Sequence, residues 1–191
     1  MPLTQLQKRI LGHYQAHWGE PKEILEVARP LVPSYICRFD LEAKLFVYST
    51  IGMSEKFQVF QDKRGQNRAI KSEIFMYSPA VNPELVDLLA MLVEYPFVHS
   101  TFFAWGHTVL GTEPVTKAAS MTDILLLPPL NEPKSLYSFL SEKEHIDILW
   151  VMPIYRSETI FLRTNPWRNL LNLLIDAEVD SSDLCRPAVI E

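Results

Sequence analysis

The chain has 191 residues, 48% of them hydrophobic and 21% charged, which suits one globular domain with a sizeable core. A formal net charge of −5 argues against general attraction to a nucleic-acid backbone and favours a basic partner. Cys37 and Cys185 are far apart and without metal-ligand spacing, no apolar run reaches membrane-spanning length, and the N-terminus lacks the pattern of a signal peptide. The expectation is a cytoplasmic protein with no metal, no cofactor, no nucleic-acid partner and no membrane.

Thr4 and Gln7 fit a capping box, and Leu6, Ile10, Tyr14 and Trp18 follow at helical spacing up to Gly19. Lys22–Arg29 reads as a strand start before the breaker Pro30. Ser34–Asp40 and Lys44–Ile51 read as a hairpin joined by Leu41-Glu42-Ala43. Phe57–Phe60 is expected to continue the sheet. The most polar and basic stretch, Gln61–Arg68, reads as a solvated hairpin tip rather than a recognition loop, and Ile70–Ser78 resumes the strand character.

Asn82-Pro83 is a helix-start signal. The helix it opens carries Glu84, Asp87 and Glu94 as a narrow polar stripe among leucines, valines and a methionine, so it is expected to be largely buried, with a break at Tyr95-Pro96-Phe97. Asp123–Leu127 is a further apolar strand closed by Pro128-Pro129, and Ser135–Leu140 leads into His145–Glu158. The unbroken apolar run Ile148–Val151 at the centre of that stretch suits a strand covered on both faces. Glu158–Arg163 is ambiguous between helix and strand, and Asn165-Pro166 opens a second helix, read as buried on account of Leu170, Leu171, Leu173, Leu174 and Ile175. Residues 176–191 carry Asp176, Glu178, Asp180, Asp183 and Glu191 against one cation, Arg186, and read as a solvated, partly frayed end. Strands before and after one helix, with helices at both ends, make an α+β single domain over residues 1–191.

No constellation of residues announces an active site. Ser54, His107 and Asp147 supply the residue types of a hydrolase triad, the alternative enzymatic reading, but Gly52-Met53-Ser54 lacks the flanking glycines of a nucleophile elbow. Asp147 and Glu158 could form a carboxylate pair; the simpler reading makes Asp147 a strand-edge residue and Glu158 a turn cap or a partner of Arg156 or Arg163. His99 and His107 lack a third ligand for a metal and read as imidazoles bonded to backbone near a turn. Trp105, Trp150 and Tyr155 are the aromatics suited to recognition; the neighbours of Trp150 assign it to the core, whereas Trp105 beside Gly106 is the better surface candidate. Cys37 is expected to behave as a small buried apolar residue.

Five segments, in order, resemble the Suppressor-of-fused (Sufu) family: Tyr48–Ser54, Glu73–Tyr77, Leu88–Phe97, Gly106–Val109 and Leu149–Tyr155 with Glu158. The similarity runs from about residue 24 to residue 175 and is to the compact bacterial branch. It implies a mixed β-sheet flanked by helices and a protein-binding role without catalysis. Animal members bind a transcription-factor peptide in a cleft, partly by strand pairing, which gives a third reading, a regulatory module that adds a peptide strand to a long exposed edge near Tyr95 and His107. Bacterial members are associated with toxin systems as immunity proteins, which implies a cognate toxin as partner, here one with a basic surface. Of the residues that line the cleft in animal members, Tyr95 is retained, while His107 stands where those members have a carboxylate, so the same peptide is not expected. The binding candidates are therefore Tyr95, Trp105, His107 and Tyr155.

Overall fold

Thr4 Oγ1 accepts from the Gln7 amide (3.1 Å) and the Gln7 side chain accepts from the Thr4 amide (2.9 Å), closing the expected capping box of helix α1, Gln5–Trp18. The computed structural model describes residues 2–27 and 31–191, so the end of the first expected strand, Ala28 and Arg29, and the breaker Pro30 lie outside the described residues. The strands that follow are β1 (Glu23–Val27), β2 (Ser34–Asp40), β3 (Phe46–Ile51), β4 (Gln58–Gln61), β5 (Asn67–Ile70) and β6 (Ser72–Ser78). Helix α2 (Glu84–Val98) precedes β7 (Thr108–Val109), β8 (Asp123–Leu127), β9 (Ser138–Leu140) and β10 (His145–Ile154), and helices α3 (Arg156–Leu162) and α4 (Trp167–Asp176) close the order.

The main sheet runs β1-β2-β3-β6-β10-β8-β7, with β9 paired to the start of β10. It is mixed: β6 and β10 are parallel and the other pairs antiparallel. β10 lies mid-sheet, as its apolar run requires. Leu149 and Val151 enter the core beneath α2, while Ile148, Trp150 and Met152 enter the core shared with α1 and α4. Helices therefore cover both faces of one sheet, an α+β domain of three layers. No helix among the described residues is long and apolar enough to cross a membrane.

Several local expectations give way to tertiary contacts. Phe57–Phe60 does not extend the main sheet; β4 pairs with β5 in a separate hairpin, whose tip is solvated as expected. Helix α2 does not break at Pro96, because a proline so close to the end forfeits one backbone bond in the last turn. The helix closes beyond it, with His99 N donating to Tyr95 O (3.0 Å) and Thr101 N to Pro96 O (2.9 Å). Helix α4 is amphipathic rather than buried: Leu170 and Leu174 enter the core, while Ile175 is 70% exposed. Glu158–Arg163 resolves as helix, since Glu158 Oε2 accepts from the Tyr155 amide (3.0 Å) and caps α3.

The acidic end is not frayed. Arg186, 1% exposed, donates from Nη1 and Nη2 to the Oε1 and Oε2 of Glu158 (2.8 and 2.6 Å), itself fully buried, so the partner of Glu158 is neither Arg156 nor Arg163. The Tyr155 hydroxyl donates to Arg186 O (2.5 Å), Val189 N to Glu158 Oε1 (3.2 Å) and Ser157 Oγ to Ile190 O (2.6 Å), while Leu184 joins the core beneath α2. Residues 184–190 thus form a strap across the C-terminal end of β10 and the start of α3.

A second buried charge lies on β6. Glu73, fully buried, receives Thr50 Oγ1 (2.6 Å) on Oε2 and Gly52 N (2.8 Å), Ser54 N (3.0 Å) and Ser54 Oγ (2.6 Å) on Oε1. Burial raises its pKa above the ordinary carboxylate value and the four donors oppose that rise. Cys37 is buried as expected, and desolvation pushes its thiol up to about 12.

Candidate binding surface

Helix α2 presents Glu84, Asp87, Leu88, Met91, Glu94, Tyr95 and Val98 at intervals of three or four residues, which places them on one face along its whole length. That face is one wall of a groove of about 800 Å³; the other wall is the segment Val109–Lys117, with Thr122 and Ile124. A polar hollow of about 560 Å³ adjoins it, lined by His99, Thr101, Phe102, Phe103, Gly106, His107 and Thr108. Tyr95, His99 and Val109 line both, so the two form one continuous surface.

The second wall is a loop held at many points. Asp123, fully buried, accepts from Gly111 N (3.1 Å), Thr122 Oγ1 (3.1 Å), Thr159 Oγ1 (2.7 Å) and Arg156 Nη2 (2.8 Å), and Arg156 also donates to Gly111 O (2.5 Å). Val115 N donates to Met121 O (2.9 Å) and Cys185 Sγ to Ala118 O (3.4 Å), so the C-terminal strap braces this wall as well. A Cβ at Gly111 would lie 2.0 Å from the Thr122 carbonyl oxygen, and both neighbours are backbone in a pinned segment. Gly111→Ala is therefore expected to cost about 3 kcal/mol and roughly 6–12 °C of melting temperature, measured by circular dichroism.

The groove is apolar at its centre and acidic at its rim. Met91, Val98 and Leu110 are 48%, 58% and 51% exposed, large values for apolar side chains beside one another in a concavity. Glu84, Asp87, Glu94 and Glu113 line it against one cation among the described residues, Lys117, whose Nζ is 3.5 Å from Glu84 and whose amide donates to the same carboxylate (2.8 Å). Thr116 lines it too, 3% exposed, with a hydroxyl that has no hydrogen-bond partner among the described residues.

Tyr95 and His107 are brought to the same hollow. The Tyr95 ring lies 5.9 Å from Phe103 and 4.3 Å from His99, and the His107 ring lies edge-on to Phe102 (4.7 Å) with Nδ1 3.2 Å from the Phe102 carbonyl. Phe102 in turn stacks on Phe60 at 3.6 Å, which ties the β4–β5 hairpin to the hollow. Gly106, with φ of 83°, makes the turn that aims His107, and a Cβ there would meet Trp167 Cδ1 at 2.7 Å. Trp105 is 48% exposed and packs edge-on to Tyr137 (6.3 Å), outside both concavities. Tyr155 is engaged by the strap through its hydroxyl and by the Arg186 guanidinium over its ring (5.5 Å), and it lines neither concavity. Trp150, 3% exposed, is a core residue as expected.

The hydrolase constellation is not assembled. Ser54 is fully buried with its hydroxyl on Glu73, His107 engages a backbone carbonyl, and Asp147 lies 3.2 Å from His145. Asp147 and Glu158 flank opposite ends of β10, roughly 20 Å apart at the rise of a strand, which is too far for a carboxylate pair. Among the described residues no group of three or more His, Cys, Asp or Glu side chains is placed to hold a metal ion. The edge strand near Tyr95 and His107 is β7, two residues long rather than the long edge that strand addition needs.

A family model described as Suppressor of fused protein (SUFU) matches residues 31–187. The chain belongs to the Suppressor of fused family. The match extends beyond the expected range of about 24–175 at its C-terminal end and takes in Arg186 of the strap. A search of curated proteins finds no match. Among solved structures, the chain is similar to one solved as a candidate SUFU homolog from Neisseria gonorrhoeae FA 1090, with a TM-score of 0.78, 20% identity and 97% of each chain covered. It is also similar to a chain of a structure described as the Sufu-Fu complex (TM-score 0.72, 14% identity, 96% of this chain and 92% of that one). Drosophila Suppressor of Fused matches with a TM-score of 0.74 and 12% identity over 96% of this chain but 51% of that one, so this chain corresponds to about half of the fly protein. At these identities the likeness is one of fold.

What sequence reasoning missed is the groove itself. Glu84, Asp87 and Glu94 were legible as a stripe, but the assumed break at Pro96 separates Tyr95 from Val98, and Val109–Lys117 carries no periodic signal. The available signal was the apolar pair Met91 and Val98 beside that stripe, at positions where a solvated helix face would be polar.

Proposed function

We propose that this Suppressor of fused domain is a non-enzymatic binding protein that sequesters a protein partner on the surface formed by the α2 groove and the Tyr95–His107 hollow. The observation that carries the reading is the groove, a long apolar concavity with exposed Met91, Val98 and Leu110 and an acidic rim, on a chain whose candidate nucleophile is buried against Glu73. Family membership supports it, as does the likeness to a domain in the structure described as the Sufu-Fu complex. The partner we infer is a toxin with a basic surface, which the domain blocks as an immunity protein in a bacterial cytoplasm; the net charge of −5 and the carboxylate rim match such a surface.

Affinity capture from the native host, with the intact chain as bait, is expected to return one stable protein partner. Expression of that partner alone is expected to arrest growth, and co-expression of this chain to restore it. Failure to recover a stable partner overturns the binding reading; a partner without toxicity overturns the immunity role and leaves binding in place.

A further inference from the structure

The groove's geometry fits one kind of ligand segment. Its helical wall is α2, whose fifteen residues extend about 22 Å, and the stripe from Glu84 to Val98 uses that whole length. An extended peptide would find little backbone to pair with, since β7 offers two residues, about 7 Å of edge. A helix needs no backbone partner; it needs an apolar seam and complementary charges, and the groove has both. The seam is Leu88, Met91 and Val98 facing Leu110, with Met91 able to adapt its shape to what packs on it. The side-chain carboxylates of Asp87 and Glu113, both exposed residues, make no hydrogen bond or ion pair with other described residues, while Glu84 is engaged by Lys117 and Glu94 by the Leu31 amide (3.1 Å). The Thr116 hydroxyl, without a hydrogen-bond partner among the described residues, adds a buried polar group at the same wall.

We propose that this groove receives a basic amphipathic α-helix of the partner protein, laid along α2 with its apolar face on Leu88, Met91 and Val98 and its Lys or Arg side chains on Asp87 and Glu113. This rests on the protein-binding reading and names the chemistry of the segment bound. The attraction is electrostatic at the rim, so binding weakens with added salt, and hydrophobic at the seam, so it does not vanish.

The test is an amide-resolved NMR titration of the full chain with two synthetic helical peptides of about 16 residues, one of Leu and Lys and one of Leu and Glu, both with leucines at helical spacing. The Leu/Lys peptide is expected to shift amides of residues 84–98 and 109–117, and the Leu/Glu peptide to leave them unmoved. Asp87→Lys with Glu113→Lys is expected to weaken the Leu/Lys peptide roughly tenfold, as two attractions become repulsions. Met91→Asp is expected to weaken it by spoiling the seam. Circular dichroism on each variant checks that it is folded.

Shifts scattered over the surface, equal binding of both peptides, or indifference to the double variant would overturn the helix proposal. So would concentration-dependent self-association broadening the same amides without peptide, because the occupant would then be a second copy, with its basic β4–β5 hairpin bearing Lys63, Arg64 and Arg68 as the element to examine. A partner captured from the host that still cross-links to α2 after such a failure would remove the helix and keep the binding surface.

Discussion

Arg186→Ala is expected to destabilise the domain by about 3–5 kcal/mol, roughly 6–20 °C of melting temperature, although it lies five residues from the end of the sequence. The guanidinium is 1% exposed and makes a bidentate contact with Glu158, with further donations to the carbonyls of Pro153 (3.3 Å) and Pro187 (3.0 Å). Removing it leaves a fully buried carboxylate with only the Tyr155 and Val189 amides, and it loosens the strap that braces the Ala118 wall of the groove. The effect belongs to the pair, so Arg186→Met together with Glu158→Met is expected to recover part of the loss, as apolar replacement of buried ion pairs does elsewhere. A melting temperature within about 2 °C of the parent for Arg186→Ala would mean the strap is not part of the cooperative fold.

Glu73→Ala is expected to cost a similar 3–5 kcal/mol, because Thr50 Oγ1, Ser54 Oγ and the amides of Gly52 and Ser54 lose their common acceptor in the buried interior. Glu73→Gln separates charge from hydrogen bonding. Its carbonyl oxygen can take the place of Oε1, and its amide can donate to Thr50 Oγ1, so at neutral pH the cost is expected to be about 1 kcal/mol or less. The pH dependence has a definite sign. Burial raises the native pKa of Glu73 above its ordinary 4.5, so the stability its protonated form contributes is complete below that value and is lost as pH rises through the native pKa. The parent should therefore gain on Glu73→Gln as pH falls from 7 toward 4.5, in denaturant melts at a series of pH values. A difference that moves the other way would mean the four donors outweigh desolvation.

Features encoded within a few neighbouring residues were readable in the sequence. The Thr4–Gln7 box, the strands Ser34–Asp40 and Asp123–Leu127, and the doubly covered run Ile148–Val151 all depend on local pattern, and each is found where it was expected. Features set by distant partners were not. Pro96 reads as a breaker until the closing bonds from His99 and Thr101 are seen, and the acidic composition of residues 176–191 hides one arginine whose partner lies 28 positions earlier. The same holds for the candidate site. Tyr95 and His107 were legible through the family resemblance and do share a hollow, but Tyr155 is engaged by the strap and Trp105 stands outside, outcomes fixed by Arg186 and Tyr137 rather than by local sequence. The groove needs α2 and a loop that begins at Val109, beyond the end of the helix at Val98, with no periodicity in the loop to announce it.

The central claim, that the α2 face binds a protein, is tested most directly by site-specific photo-cross-linking in the native host. A photoreactive residue is placed at Met91 in the groove or, as control, at Ile175 on α4, which covers the other face of the sheet and is 70% exposed. The prediction is a discrete cross-link to one protein from position 91 that is absent from position 175. No discrete adduct from position 91, or the same adducts from both positions, would contradict it.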